Sequence, residues 1–216
     1  MALFQHIIFD LDGTLTDSSE GIINSVLYAL KKIGINENDS GKLKQFIGPP
    51  LYESLQLHYG MSREEALRTV PIYREYFSEK GIFENRLYPG AAEILHDLNA
   101  RGKKIHMATS KPTVYTHQIL KHFGIYRYFS GIVGANLDGS LDHKPEIIRA
   151  LLLQKPRIIK KVAVMIGDRK YDLAGAHANG IKSIGVTWGY GSGEELRQEK
   201  PYAIVDSFEK LSGLLV

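Results

Sequence analysis

HIIFDLDGT, residues 6–14, decides how the rest of the chain is read. A short run, His6 to Phe9, meets two aspartates, Asp10 and Asp12, and then Gly13 and Thr14. Its hydrophobicity is continuous rather than alternating, as in a strand buried on both faces of a parallel sheet. Runs of the same kind recur at KIHMA (104–108), GIVGA (131–135), VAVMI (162–166), KSIGV (182–186) and YAIV (202–205). Between them the pattern predicts helices over 90–101, 112–123, 144–154, 170–179 and 207–215, with Gly102, Gly124 and Gly180 placed where helices end in a left-handed residue.

One stretch breaks the alternation. From about 18 to 87 no strand is expected, and Ile22, Ile23, Val26, Leu27, Leu30 and Ile33 follow helical spacing. Asp17 with Glu20, and Ser62 with Glu65, read as capping pairs that open helices. Pro71 is expected to kink or split the helix running from Ser62 towards Lys80. The prediction is an α/β fold: a Rossmann-like, three-layer core with a parallel sheet, formed by 1–17 and 88–216, with an all-helical domain, 18–87, inserted after the first strand. Pro89-Gly90 marks the return to the core.

The 216 residues allow one large domain or one domain with an insertion, at about 150 residues per domain. Apolar residues make up 44% and charged residues 24%, a globular balance. Cysteine is absent, which removes disulfides, zinc thiolates, iron–sulfur clusters and cysteine nucleophiles. A net charge of +3 gives no electrostatic case for nucleic acid or a membrane surface. Lys103-Lys104 and Lys160-Lys161 read as solvated faces. No apolar run reaches the roughly 18 residues of a membrane span. The N-terminus lacks a basic segment and meets Asp10 early, so it reads as a strand rather than a signal peptide, and the expected location is cytoplasmic.

Polar groups gather where the strands end. The first strand ends in Asp10-Leu11-Asp12-Gly13-Thr14, the strand 104–108 in Thr109-Ser110-Lys111, and the strand 162–166 in Gly167-Asp168. In open parallel sheets ligands bind beyond the carboxyl ends of strands, so three strands deliver these groups to one edge. Asp10 and Asp12, two apart on extended backbone, face the same side. Two adjacent carboxylates are stable with a bound cation or with one of them protonated. Asp168 and Asp172 share a face if a helix begins near Arg169. Oxygen donors without His or Cys favour Mg²⁺ over zinc or copper.

FDLDGT (9–14), ATSK (108–111), Lys144 and GDRKYD (167–172) resemble, in order, the motifs of the haloacid dehalogenase superfamily of phosphatases. The resemblance covers essentially the whole chain, and the helical insertion is similar to that superfamily's type-one cap. It implies Asp10 as nucleophile, forming an aspartyl-phosphate. It implies Asp12 as the acid that protonates the leaving alcohol and then activates water. Thr109 would bond a phosphoryl oxygen, and Lys144 would hold nucleophile and phosphate together. Gly13, Ser110 and Lys111 are the further substrate-binding candidates. Asp10, the backbone carbonyl of Asp12 and Asp168 would hold Mg²⁺, with Asp172 serving it through water or orienting its neighbours. With a phosphate dianion, three aspartates, Mg²⁺ and Lys144 the site carries −2 formally, which helix N-termini near Ser110 and Lys144 and backbone N–H groups would offset.

Plainer readings stand beside these. Thr109 alone could be a helix cap, Ser110 could cap helix 112–123, Lys111 reads as a rim cation, and Lys144 could be an exposed lysine at a helix start. GYGSG (189–193) matches no dinucleotide fingerprint and reads as a loop. Asp138-Gly139 reads as a hairpin turn. His117 and His122, five apart, do not share a helical face. Tyr52, Tyr59, Tyr73, Tyr76 and Phe77 read as core of the inserted domain, and GPPL (48–51) as a helix start or a rigid substrate loop. Lys42 and Lys44 are candidates for a substrate carboxylate.

The expected activity is Mg²⁺-dependent hydrolysis of a small phosphate monoester, similar to phosphoglycolate phosphatases, with the bacterial 5′-nucleotidases as the alternative, in a monomer or weak homodimer. The resemblance disfavours dehalogenation, which needs no second aspartate. It also disfavours a sugar phosphomutase, because SSEGIINSVLYALKK carries its lysines only at its end. A non-catalytic phosphate-binding protein is the remaining alternative.

Overall fold

A strand buried on both faces needs a hydrogen-bonded neighbour on each side, and β1 (His6–Phe9) has two. In the computed structural model, which describes residues 4–216, the chain forms two compact units: residues up to Thr16 with Leu87–Val216, and Asp17–Arg86. The two crossings between them pair as short strands, β2 (Thr16–Asp17) and β3 (Arg86–Leu87), an element the sequence pattern did not indicate.

The first unit holds β4 (Lys104–Pro112), β5 (Phe129–Ala135), β6 (Ala163–Gly167), β7 (Lys182–Val186) and β8 (Ala203–Val205). With β1 they form one parallel sheet in the order β5-β4-β1-β6-β7-β8. The order reverses beside β1, and a crevice for ligands opens beyond the carboxyl ends of strands at such a point. The helices of this unit are α5 (Ala91–Ala100), α6 (Thr113–His122), α7 (Lys144–Gln154), α8 (Lys170–Ala178), α9 (Gly193–Gln198) and α10 (Phe208–Leu215). Ile8, Ala108, Val133 and Met165 of the sheet pack against Ile147, Ile148 and Leu151 of α7 and Ala176 of α8. Full burial of each large aliphatic side chain contributes about 1.5–3 kcal/mol, which seats α7 and α8 on one face of the sheet. Asp138-Gly139 is a turn, with Asn136 N–H bonded to Ser140 O at 3.1 Å. No second strand follows it, so it is not a hairpin: the chain enters α7 instead.

The second unit holds α1 (Ser19–Lys32), α2 (Ser40–Lys44), α3 (Leu51–Tyr59) and α4 (Arg63–Tyr76), with a π-helical turn, Phe77–Gly81. Ser62 and Glu65 form the reciprocal capping box. Asp17 does not cap α1: its carboxylate accepts from Ser19 Oγ at 2.6 Å and Ser19 N at 3.2 Å, one residue too early in the chain. Pro71 does not split α4. It lies on the exposed side, where water can satisfy the carbonyl it leaves without a donor. GPPL is a helix start, with Pro50 preceding α3. Phe77 is buried as expected, whereas the four tyrosines are only half-buried. Lys42 is committed within this unit, 3.0 Å from Glu37 and 3.9 Å from the centre of the Tyr59 ring. Among the described residues no helix is long and apolar enough to cross a membrane.

Candidate active site

The chain after β1 turns at once. Asp10 still donates to Ile166 O at 2.9 Å, and Leu11 O then collects N–H groups from Thr14, Leu15 and Thr16. Gly13 sits in this turn with φ +80°. A Cβ there would overlap the Asp168 carboxylate, so the position needs glycine for both conformation and space. Across the sheet order, β6 delivers Gly167 and Asp168, and α8 starts directly after. Asp172, in the first turn of α8, accepts from Arg169 N at 3.1 Å. Gly167 also lies where a Cβ would overlap the Asp172 side chain.

Asp10, Asp168 and Asp172 are buried, and one oxygen of each lies within 4.8 Å of the others. Lys144, the first residue of α7, reaches into them: its Nζ is 2.9 Å from Asp10 Oδ1 and 2.7 Å from Asp172 Oδ1, and it donates to Ala108 O at 3.2 Å. At 4% exposure Lys144 is not a surface lysine. Pro145, directly behind it, suits the first turn of a helix, where its missing N–H has no partner to lose.

Asp12 goes elsewhere. Its Oδ2 lies 2.8 Å from Lys111 Nζ, and its side chain is not one of the three clustered carboxylates. The side chains of Asp10 and Asp12 thus each have their own lysine, Lys144 and Lys111. Lys111 is not a rim cation either, being 7% exposed. The reason is β4, which runs past residue 108 to Pro112 with a register irregularity after Thr109, and so carries Lys111 into the site. Thr109 is buried and its Oγ1 accepts from Lys111 N at 3.3 Å. Ser110 is half-buried and does not cap α6, which Pro112 precedes without a side-chain bond.

The sequence reading missed one part of the site. GYGSG is more than a connecting loop. Tyr190 N donates to Asp168 Oδ2 at 2.8 Å, while Thr14 Oγ1 donates to Asp168 Oδ1 at 3.2 Å. A Cβ on Gly189 would overlap Gly13 O and the Asp168 side chain, and one on Gly191 would overlap Asp168 O. The available signal was position: this glycine run follows β7, and so falls at the same sheet edge as the other clusters.

Electrostatics follow from packing. Burial, with Asp172 and Asp10 adding, pushes the Asp168 carboxyl well above the usual carboxylate range. Burial also raises Asp172 to about 6, although Lys144 pulls it down. Burial alone would lower Lys144, but Asp10 and Asp172 outweigh it and hold the ammonium above its ordinary value. Three ionised carboxylates and one lysine leave two negative charges uncompensated, so the cluster must take up protons or a cation. All its donors are carboxylate oxygens, which fits a hard divalent cation such as Mg²⁺.

A family model described as haloacid dehalogenase-like hydrolase matches residues 7–186. The chain is 46% identical over 198 residues to a 5′-nucleotidase of Pseudomonas aeruginosa, covering 92% of this chain and 89% of that protein. It is 41% identical over 188 residues to the tyrosine-protein kinase PtkA of Mycobacterium tuberculosis, covering 87% of this chain and 63% of that longer protein. The crystal structure of a predicted phosphatase from Clostridium acetobutylicum superposes with a TM-score of 0.93 at 45% identity, covering 98% of both chains.

Proposed function

The chain belongs to the haloacid dehalogenase-like hydrolases and is a hydrolase of phosphoric monoester bonds, and from that premise we propose a Mg²⁺-dependent phosphatase of small metabolites that works through Asp10. The observation that carries the reading is the buried group Asp10, Asp168 and Asp172, with Lys144 paired to Asp10 and Asp172, beyond the carboxyl end of β1. A carboxylate of Asp10 attacks phosphorus, and the ester P–O bond breaks. Asp12 gives its proton to the leaving oxygen. It then takes a proton from the water that attacks the aspartyl-phosphate, the bond from Asp10 to phosphorus breaks, and inorganic phosphate leaves. Thr109 spends its oxygen on Lys111 N–H, so its own proton is left to donate to a phosphoryl oxygen. Lys144 keeps Asp10 aimed and offsets phosphoryl charge. Asp10, Asp168 and, with them, Asp172 and the Asp12 carbonyl would hold Mg²⁺, which neutralises phosphoryl charge when bound.

The 46% identity to a 5′-nucleotidase over nearly the whole chain supports nucleoside 5′-monophosphates as substrates ahead of phosphoglycolate. The test is phosphate release, with Mg²⁺, from a panel of nucleoside 5′-monophosphates, phosphoglycolate, pyrophosphate and sugar phosphates, ranked by kcat/KM. A nucleoside monophosphate is expected to lead, and Asp10→Asn to abolish turnover. Turnover retained by Asp10→Asn would end the mechanism. A lead for phosphoglycolate would end the substrate assignment and leave the mechanism standing.

A further inference from the structure

We propose that the segment Trp188–Glu195 is a clamp on Asp168, and that Glu195, acting through Arg169, is a positioning residue that sets the affinity of the carboxylate cluster for a divalent cation. The proposal rests on reading Asp10, Asp168 and Asp172 as the ligands.

The segment touches both halves of the site. At one end Trp188 donates from Nε1 to Thr14 O at 3.0 Å, in the turn that follows Asp10 and Asp12, and its ring lies 4.5 Å from that of Phe208. In the middle Tyr190 N–H fixes one oxygen of Asp168, while Thr14 fixes the other. At the far end Glu195 Oε1 accepts from Arg169 Nε at 2.9 Å and from Lys170 N at 3.1 Å, the two residues that follow Asp168. Both side chains of this ion pair are largely covered, at 16% and 22% exposure.

Gly191 explains why the pair is more than a surface ion pair. It is packed between Asp168 and Glu195: a Cβ there would overlap Asp168 O and lie 2.9 Å from Glu195 Oε1. The segment can approach this closely because it carries glycine at 189 and 191, and Glu195 then ties it to the first turn of α8. Without that tie the segment loses its anchor to the first turn of α8 and is held at its Trp188 end, so the Tyr190 N–H is less firmly fixed against Asp168. A carboxylate that wanders must be reordered when the cation binds. Losing such an outer partner costs about 10–100-fold in metal affinity.

The experiment is Mg²⁺ binding by calorimetry on the whole chain, with no substrate present, for wild type, Glu195→Gln and Arg169→Lys. Thermal midpoints serve as the control for folding. Glu195→Gln is expected to weaken Mg²⁺ binding roughly 10–100-fold. Arg169→Lys, which keeps the charge but not the fork, falls between it and wild type. A Mg²⁺ titration of Trp188 fluorescence shifts its midpoint by the same factor. A folded Glu195→Gln that binds Mg²⁺ as wild type does overturns the clamp and leaves the ligand assignment intact. If Glu195→Gln does not fold, Arg169→Lys decides on the same criterion. Wild type that takes up no Mg²⁺ overturns the ligand assignment together with the clamp.

Discussion

Lys144→Met removes the one cation from among three buried carboxylates while keeping an aliphatic stem of similar length in its place. The lysine is within 2.9 Å of Asp10 and 2.7 Å of Asp172, and almost wholly covered. Deleting one partner of a buried ion pair costs about 3–5 kcal/mol, because the other charge is stranded. At about 2–4 °C per kcal/mol for a chain of this size, the thermal midpoint falls by roughly 6–20 °C. Two conditions should shrink the loss. Lys144 holds the Asp172 carboxyl down in wild type, so in the variant it rises further, and lowering the pH protonates it and removes one stranded charge. Added Mg²⁺ supplies the missing positive charge directly. Trp188 is the only tryptophan of the chain and lies in the catalytic unit, so urea unfolding followed by its fluorescence reports on that unit. The measurement compares wild type and variant at neutral pH, at lower pH, and at neutral pH with Mg²⁺. If the variant matched wild type at neutral pH without Mg²⁺, the account of the cluster as a charge-stressed site held by Lys144 would be wrong. A deficit that Mg²⁺ left untouched would refute the cation fit.

The remaining predictions concern neighbouring parts of the molecule. Burial, with His6, Lys155 and Lys104 adding, pulls His106 down to about 4 from an ordinary 6.5. The unfolded chain therefore binds this proton first, and the stability due to neutral His106 is complete above about pH 6.5 and lost as pH falls towards 4. The loss is at most about 3 kcal/mol. His106→Phe should flatten that part of the stability–pH curve, and an unchanged slope would reject the assignment. Gly189→Ala drives a methyl into Gly13 and Asp168, so overpacking should cost about 1–3 kcal/mol. By contrast Gly213→Ala, in α10 with open space around it, should stabilise by about 0.8 kcal/mol; equal effects in denaturant titrations would contradict the packing. Asp12→Asn should slow alkyl phosphates by about 10²–10⁴-fold. p-Nitrophenyl phosphate, whose leaving group needs no proton, should suffer less, and equal slowing of both would remove Asp12 from the acid role.

The alternation of apolar runs with helical patterns was enough to place the six parallel strands and the helices around them except α9, a short helix after the glycine run that the pattern did not indicate. The carboxylates were legible as well: charges at the ends of apolar strands have nowhere to go but the sheet edge. Contacts between side chains distant in sequence were not legible. That Asp12 pairs with Lys111 depends on β4 continuing to Pro112 beside β1. Local propensity, with Ser110 and Pro112 nearby, points instead to an early stop. Pro71 stays inside α4 because its side of the helix faces water, a fact of tertiary exposure and not of proline. The glycines at 189 and 191 read as loop residues in the sequence, whereas their close approach to Asp168 is a matter of tertiary packing. Sequence alone thus determined the kinds of element, their order and the edge at which acids collect, since these follow from the periodicity of short segments. Which acid meets which lysine, and which backbone presses on Asp168, was decided by the register of parallel strands and the close packing of loops, and both depend on groups from different elements, separated by 22 residues for Tyr190 and Asp168 and by far more for Asp10 and Lys144.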